Sequence, residues 1–407
     1  MNKSDVKTAR VNDKKVKEPL FHVAKRDEIT FRKKFAIYAI SIVLSLFLGG
    51  LICTIASGGE GNPFSFFMSL FSGIFGSSRK IWYFLQQTSL LIGVSMAIVP
   101  AFKMKFWNLG ANGQVLIGGL ATISCMYYLG GKMNDGLVIL FMVISSIVAG
   151  AIWAVIPALC KAFFNTNESL LTLMMNYIAQ GLVTFFVAVW VKSGSGNLQP
   201  IPYGNIPQIG NPYLLTIIVG ALITLFMWIY LKFSKHGYEL SVVGDSPNTA
   251  RYIGINVKKV IIRTLCLSGA ICGIVGLMLT GAMSHTIGTN TVQNMGFTAI
   301  MTTWLANCNP LMMIFTCALV MFVSSGMQQV RMDFALTNDS TANVVIGLVY
   351  FFIIACAFFI QYKVVFRKNL KIVDYSPQQE GKVFFGAWVE IENDDGVTHR
   401  FRIVGYD

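Results

Sequence analysis

The sequence predicts an all-α fold: a polytopic membrane helix bundle of about ten transmembrane helices, with a short non-native-looking β-hairpin tail. Three observations carry this. Hydrophobic residues make up 54% of the chain against 13% charged, and the mean hydropathy is +0.61, outside the balance of a soluble globular domain. Apolar runs of about 20 residues, the length a helix needs to cross a bilayer, recur along the chain. Lys and Arg gather at the ends of those runs, as membrane topology demands.

The predicted spans fall at 35–55, 81–102, 107–129, 136–157, 169–191, 213–232, 260–281, 296–308, 310–329 and 341–362. The eighth is short and reads as either crossing or re-entrant. Phe64–Phe75 is apolar but too short to span, so it lies along the outer interface or packs on the bundle. Residues 1–34 hold eleven Lys or Arg and read as a basic cytoplasmic segment, too long and polar for a signal-peptide n-region. With the N-terminus inside, the inner segments up to Lys371 carry 24 Lys or Arg and the outer ones about five. That asymmetry puts both termini and the loop 232–263 in the cytoplasm of a multi-pass membrane protein. The outer loop Lys192–Pro212 is rich in Gly, Pro and Asn and is expected to be irregular. Gly269, Gly273 and Gly276, with Gly110, Gly113, Gly118 and Gly119 on another segment, mark places where helix backbones approach closely.

The net charge of +13 follows topology and forms no groove, so no nucleic-acid partner is expected. Eight cysteines lie in or beside apolar runs without paired spacing, so neither a disulfide framework nor a metal site is indicated. The chain contains no GxxxxGK[ST] phosphate loop, HExxH, CxxC or Ser/His/Asp arrangement, and no catalytic residue is expected. Carboxylates and histidines at membrane depth are nearly absent, with His285 at an outer end, which disfavours a self-powered ion-driven carrier. A subunit energised by another protein remains, as does a stand-alone channel or facilitator.

Neutral polar groups at membrane depth are the candidates for a substrate pathway. Asn108, Asn112 and Gln114 follow Trp107 in W-N-L-G-A-N-G-Q, and Thr172, Asn176 and Gln180 share one helix face. Unpaired amides in lipid cost several kcal/mol, about as much as a lost hydrogen bond in an apolar solvent, so each must bond another helix or face a path. Both readings stand: interhelical hydrogen bonds, or a neutral path for an uncharged, many-hydroxyl or heteroaromatic solute. Trp107 and Trp304 offer faces for stacking, or anchors at the membrane interface.

The charged stretch Lys232–Arg263 contains a short helix. Asp245 or Ser246 caps it, Pro247 suits its first position and Gly254 closes it in a left-handed conformation. Ala250, Tyr252 and Ile253 put apolar groups on a helix too short to stand alone, so it needs a partner surface.

Five stretches together resemble the membrane-spanning permease subunits of bacterial ABC importers, in the branch that handles nucleosides and simple sugars. They are W-N-L-G-A-N-G-Q-V-L-I-G-G at 107–119, N-E-S-L-L-T-L-M-M-N-Y-I-A at 167–179, S-V-V-G-D-S-P-N-T-A-R-Y-I-G-I-N-V at 241–257, L-S-G-A-I-C-G-I-V-G at 267–276 and G-F-T-A-I-M-T-T-W-L-A-N-C-N-P at 296–310. The resemblance covers roughly Phe35 to Arg367 and implies a permease domain over 35–368 in a bacterial plasma membrane. It implies that Gly244 to Asn256 is the coupling segment to a cytoplasmic ATPase, with Gly244, Asp245, Pro247, Ala250, Arg251, Tyr252, Ile253 and Gly254 at that contact. It also implies a second permease subunit, an extracytoplasmic solute-binding lipoprotein, and ATP with Mg held on the ATPase rather than on this chain. Ala306-Asn307-Cys308 departs from the family's glycine and basic or polar residue before Asn-Pro, and Asn112 stands where the family often has an acid. Both departures bear on the solute.

Residues 369–407 change composition abruptly. Ala387–Glu392 and Thr398–Val404 read as two strands around the turn Asn393-Asp394-Asp395-Gly396. This tail resembles the linker and opening strands of the C-terminal domain of the transcript-cleavage factor GreB, cut off partway, and reads as a fusion or assembly artefact. The rival reading is a regulatory appendage.

Overall fold

A chain in lipid must satisfy its own backbone hydrogen bonds, and a helix does so within one segment. The computed structural model describes residues 21–25, 30–58, 62–191, 198–336, 339–366, 388–392 and 398–402. Among them, seven helices are long and apolar enough to cross a membrane. These lie within α1 (Phe31–Ala56), α3 (Ser78–Lys103), α5 (Asp135–Phe164), α6 (Glu168–Trp190), α7 (Leu214–Phe233), α10 (Val257–Leu277, continued by a π-helical segment Met278–Ser284) and α12 (Pro310–Asp333).

Three further predicted spans are helical but fall outside that group. Helix α4 (Ala111–Leu129) starts late and carries Asn112 and Gln114 in its first turn. Helix α11 (Met295–Leu305) has 11 residues, which at about 1.5 Å per residue is roughly half a bilayer core. Helix α13 covers Asp339–Gln361. Helix α2 (Pro63–Phe75) buries Phe66, Leu70 and Ile74. Its Phe71 ring meets Phe322 of α12 edge-on at 5.2 Å, so it packs on the bundle rather than along an interface.

The stretch 232–263, expected to be a loop with one short helix, holds two. Helix α8 (Lys235–Asp245) precedes α9 (Pro247–Tyr252). Ser234 caps α8 by accepting from Gly237 N–H, and Leu240 and Val243 supply its buried face. Its scattered apolar residues make a weak periodic signal; its stability comes from the surface beneath it.

The chain divides into two compact units, Ile40–Ile354 and Met1–Ala39 with Ala355–Asp407. In the second unit, β1 (Phe21–Lys25) pairs antiparallel with β2 (Tyr362–Phe366), and β3 (Trp388–Glu392) with β4 (Thr398–Arg402). The turn 393–396 and the other residues of the tail lie outside the described residues.

The first unit is built round α10, which packs most extensively on α5 and α4. The approach is backbone to backbone. A Cβ on Gly273 would collide with the Ser146 carbonyl of α5, one on Gly269 with the Gly150 carbonyl, and one on Gly276 with the Val115 carbonyl of α4. In lipid, where the hydrophobic effect does not draw helices together, such contacts and their dispersion energy hold the bundle. Gly273→Ala should therefore destabilise the chain by about 1–3 kcal/mol or more, as overpacking does. Gly181→Ala on α6, where a Cβ meets nothing within 4 Å, should be neutral or slightly stabilising. Thermal unfolding of the two detergent-purified variants checks this; equal midpoints would remove the packing explanation.

Candidate translocation and coupling site

A helix N-terminus leaves its first N–H groups without intrahelical partners. Helices α4 and α11 both begin at buried residues, Ala111–Gln114 and Met295–Gly296. One donor at each start is met by an asparagine of a neighbouring helix. Gly113 N–H donates to Asn176 Oδ1 at 2.8 Å, and the Asn176 amide donates to the Leu109 carbonyl at 2.8 Å. Gly296 N–H donates to Asn112 Oδ1 at 2.7 Å, so a residue of α4 caps α11. Asn108 Oδ1 accepts from Gly110 N–H at 3.0 Å and from Gln114 Nε2 at 3.2 Å, while its amide reaches Ser268 of α10 at 3.3 Å. Thr172 Oγ1 accepts from Leu109 N–H at 3.1 Å. Six of the predicted pathway residues thus meet at one place: Asn108, Asn112, Gln114, Thr172 and Asn176 as a clasp, with Trp107 at its edge. Gln180, one turn along from Asn176, is half-buried and stands outside the clasp.

The aromatic candidates behave differently. Trp107 and Trp304 stay 45% and 56% exposed. Their ring centroids are 6.5 Å apart at 42°, and Phe102 adds a third ring 5.4 Å from Trp107. The stretch 107–112 therefore grips α11 twice, by the Asn112 cap at its start and by the indole contact near its end. Deeper along α11, Thr302 Oγ1 lies 2.9 Å from Ser95 Oγ of α3.

The short helix α9 matches the predicted caps, with Ser246 rather than Asp245 as the N-cap: its Oγ accepts from Thr249 N–H at 3.3 Å. Asp245 ends α8, Pro247 opens α9, and Gly254 sits at φ +83° just beyond it. Ala250 is fully buried, while Tyr252 is 92% exposed and Ile253 55%; Arg251 is exposed. Ala250 belongs to an apolar cluster with Leu240 and Val243 of α8, Val260 and Leu265 of α10, and Ala101, Met104 and Phe106. At Gly244 a Cβ would collide with the Lys103 carbonyl, so α8 lies directly on the segment that leads into Trp107. The Arg263 guanidinium bonds Glu239 of α8 at 2.8 Å and holds its carboxyl below the usual range.

Ser95, Ser268 and Thr302 carry no signal in the sequence, because a single hydroxyl in an apolar run has no local pattern. Sequence reasoning also missed α8. The signal available was weak: Ser234 as a cap, then Leu240 and Val243 three residues apart.

A family model described as branched-chain amino acid transport system / permease component matches residues 80–354. The guanosine ABC transporter permease protein NupP of Bacillus subtilis is 29% identical over 252 residues, covering 59% of this chain and 70% of that protein. The nucleoside ABC transporter permease protein NupB of Lactococcus lactis is 26% identical over 359 residues, covering 83% and 95%. A separate segment is 83% identical over 37 residues to the transcription elongation factor GreB of Vibrio cholerae, covering 9% of this chain and 23% of that protein. The permease match includes the clasp, the paired indoles, α8 and α9, and the chain belongs to the family of ABC transport permease components that this model describes.

Proposed function

We propose that the chain is the translocation subunit of an ATP-driven importer of nucleosides, moved by a separate ATPase through residues 244–256. The observation that carries this is the continuous packing from α9 to the paired indoles. Ala250 and the buried face of α8 share one cluster with Met104 and Phe106, and the next residue, Trp107, contacts Trp304. Tyr252 and Ile253 leave α9 with an exposed apolar face, which an ATPase cleft would cover. On this reading about ten helical segments, with α11 entering the membrane without crossing it alone, build the permease domain in a bacterial plasma membrane; both termini are cytoplasmic, and a second permease subunit and a solute-binding lipoprotein complete the assembly. ATP and Mg reside on the ATPase. The tail 369–407 takes no part in transport.

Nucleosides are favoured over other solutes by two features. The half-exposed indoles offer a stacking face for a heteroaromatic base, a contact of about 1–3 kcal/mol for bases on aromatic side chains. The candidate pathway residues are all neutral, which suits an uncharged solute better than a zwitterionic amino acid. Relatives described as guanosine and nucleoside permeases agree with this. Simple sugars are the runner-up, since they too are uncharged but have less need of the indoles.

Trp304→Ala should raise the KM for nucleoside uptake roughly tenfold or more, the loss of one stacking contact, while leaving thermal stability near that of the wild type. Asn176→Ala should do the reverse first: it orphans the Gly113 N–H and the Leu109 carbonyl, at about 1–3 kcal/mol each, and lowers the unfolding midpoint. Uptake kinetics and thermal unfolding of both variants separate the two roles; a Trp304→Ala chain with unchanged KM would remove the stacking surface. Gly254→Val should uncouple uptake from ATP hydrolysis without loss of assembly. A Cβ there meets nothing within 4 Å, and the left-handed φ costs about 1–2 kcal/mol locally. The ratio of solute imported to ATP hydrolysed measures it; an unchanged ratio would put the coupling contact elsewhere.

A further inference from the structure

An open groove of about 740 Å³ lies along α5 and α10, and none of its lining residues belongs to the clasp. Its floor is apolar, with Val155 and Phe163 from α5 and Ile262, Leu267 and Ala270 from α10. Its rim is basic, formed by Lys258, Lys259 and Arg263. No carboxylate lines it. Among the described residues neither lysine forms an ion pair. Lys258 is folded back over the Phe163 ring, its Nζ 4.9 Å from the centroid, which keeps that charge at the groove edge. Arg263 bonds Glu239 through one Nη, while its buried Nε has no partner among the described residues.

We infer that this groove holds an anionic phospholipid of the inner leaflet, its headgroup phosphate at Lys258 and Lys259 and an acyl chain along the apolar floor. Basic pockets between membrane helices on the cytoplasmic side attract anionic headgroups, at about 1 kcal/mol per Lys or Arg near the surface in general. The volume lies within the range of small-ligand sites. The inference rests on the proposed topology, which puts the start of α10 in the cytoplasm. It adds a consequence: lipid composition would act on α10 directly beside α9.

The test uses the full chain in detergent, exposed to equal amounts of phosphatidylglycerol and phosphatidylcholine, with retained lipid read by native mass spectrometry. The wild type should retain phosphatidylglycerol several-fold over phosphatidylcholine. Lys258→Gln with Lys259→Gln should cut that about tenfold, and Ala270→Leu, which fills the floor and leaves the lysines, should cut it as well. Equal retention of the two lipids, full retention in the lysine variant, or no effect of Ala270→Leu would each overturn the site. So would displacement by inorganic phosphate at equal concentration, which would mean a bare anion site. Loss of ATPase co-purification in the lysine variant with phosphatidylglycerol retention unchanged would hand the lysines to the ATPase instead. Labelling of Lys259→Cys by a membrane-impermeant maleimide, above the wild-type background, should require inverted vesicles; labelling from outside would overturn the topology while leaving the detergent result to stand by itself.

Discussion

Two helices of this chain begin at buried residues, and a buried N–H at each start must find an acceptor. Unmet, each such N–H costs about as much as a lost hydrogen bond in an apolar medium. Asn176 and Asn112 meet this demand from neighbouring helices, and Asn108 meets it from the segment just upstream. The consequence is connectivity. Because Asn112 belongs to α4 and caps α11, and Asn176 belongs to α6 and caps α4, three helices are fixed to one another by donors none of them can satisfy alone. The close glycine contacts of α5 and α10 hold the wall behind them.

Against that clasp, the segment 104–107 is the joint. It leaves α3 at Lys103, lies under α8 at Gly244, buries Phe106 with Ala250 of α9, and delivers Trp107 to Trp304. A displacement of α9 presses on the same cluster that seats Phe106, while the asparagines resist movement of α4 itself. This division, rigid amides beside half-exposed rings, gives a reason why the polar candidates and the aromatic candidates play different parts. The amides are positioning residues in this structure, while the rings stay half-exposed.

The helical bundle was legible because apolar runs long enough to span a bilayer are rare outside membranes, and the caps of α9 were legible because Ser246, Pro247 and Gly254 act within a few residues of one another. The polar residues were legible as a set, from the cost of an amide in lipid, but their roles were not. Whether Asn112 lines a path or caps a helix depends on Gly296, which is distant in sequence. The same holds for Asn176 and Gly113. Helix α8 escaped notice since its stability derives from Lys103, Met104 and Phe106 beneath it rather than from its own pattern. The strand β1 was hidden in a basic segment whose partner, β2, lies at the opposite end of the chain.

On the proposed function, energy reaches this chain from outside, through α9. The direct measurement is solute uptake into proteoliposomes containing this chain and its second permease subunit, with and without the ATPase and ATP, for the wild type and for a chain lacking 246–253. Uptake that needs both ATPase and ATP, and that disappears with the deletion, is the predicted result. Equal flux without the ATPase, surviving the deletion, would make the chain a facilitator and contradict the account.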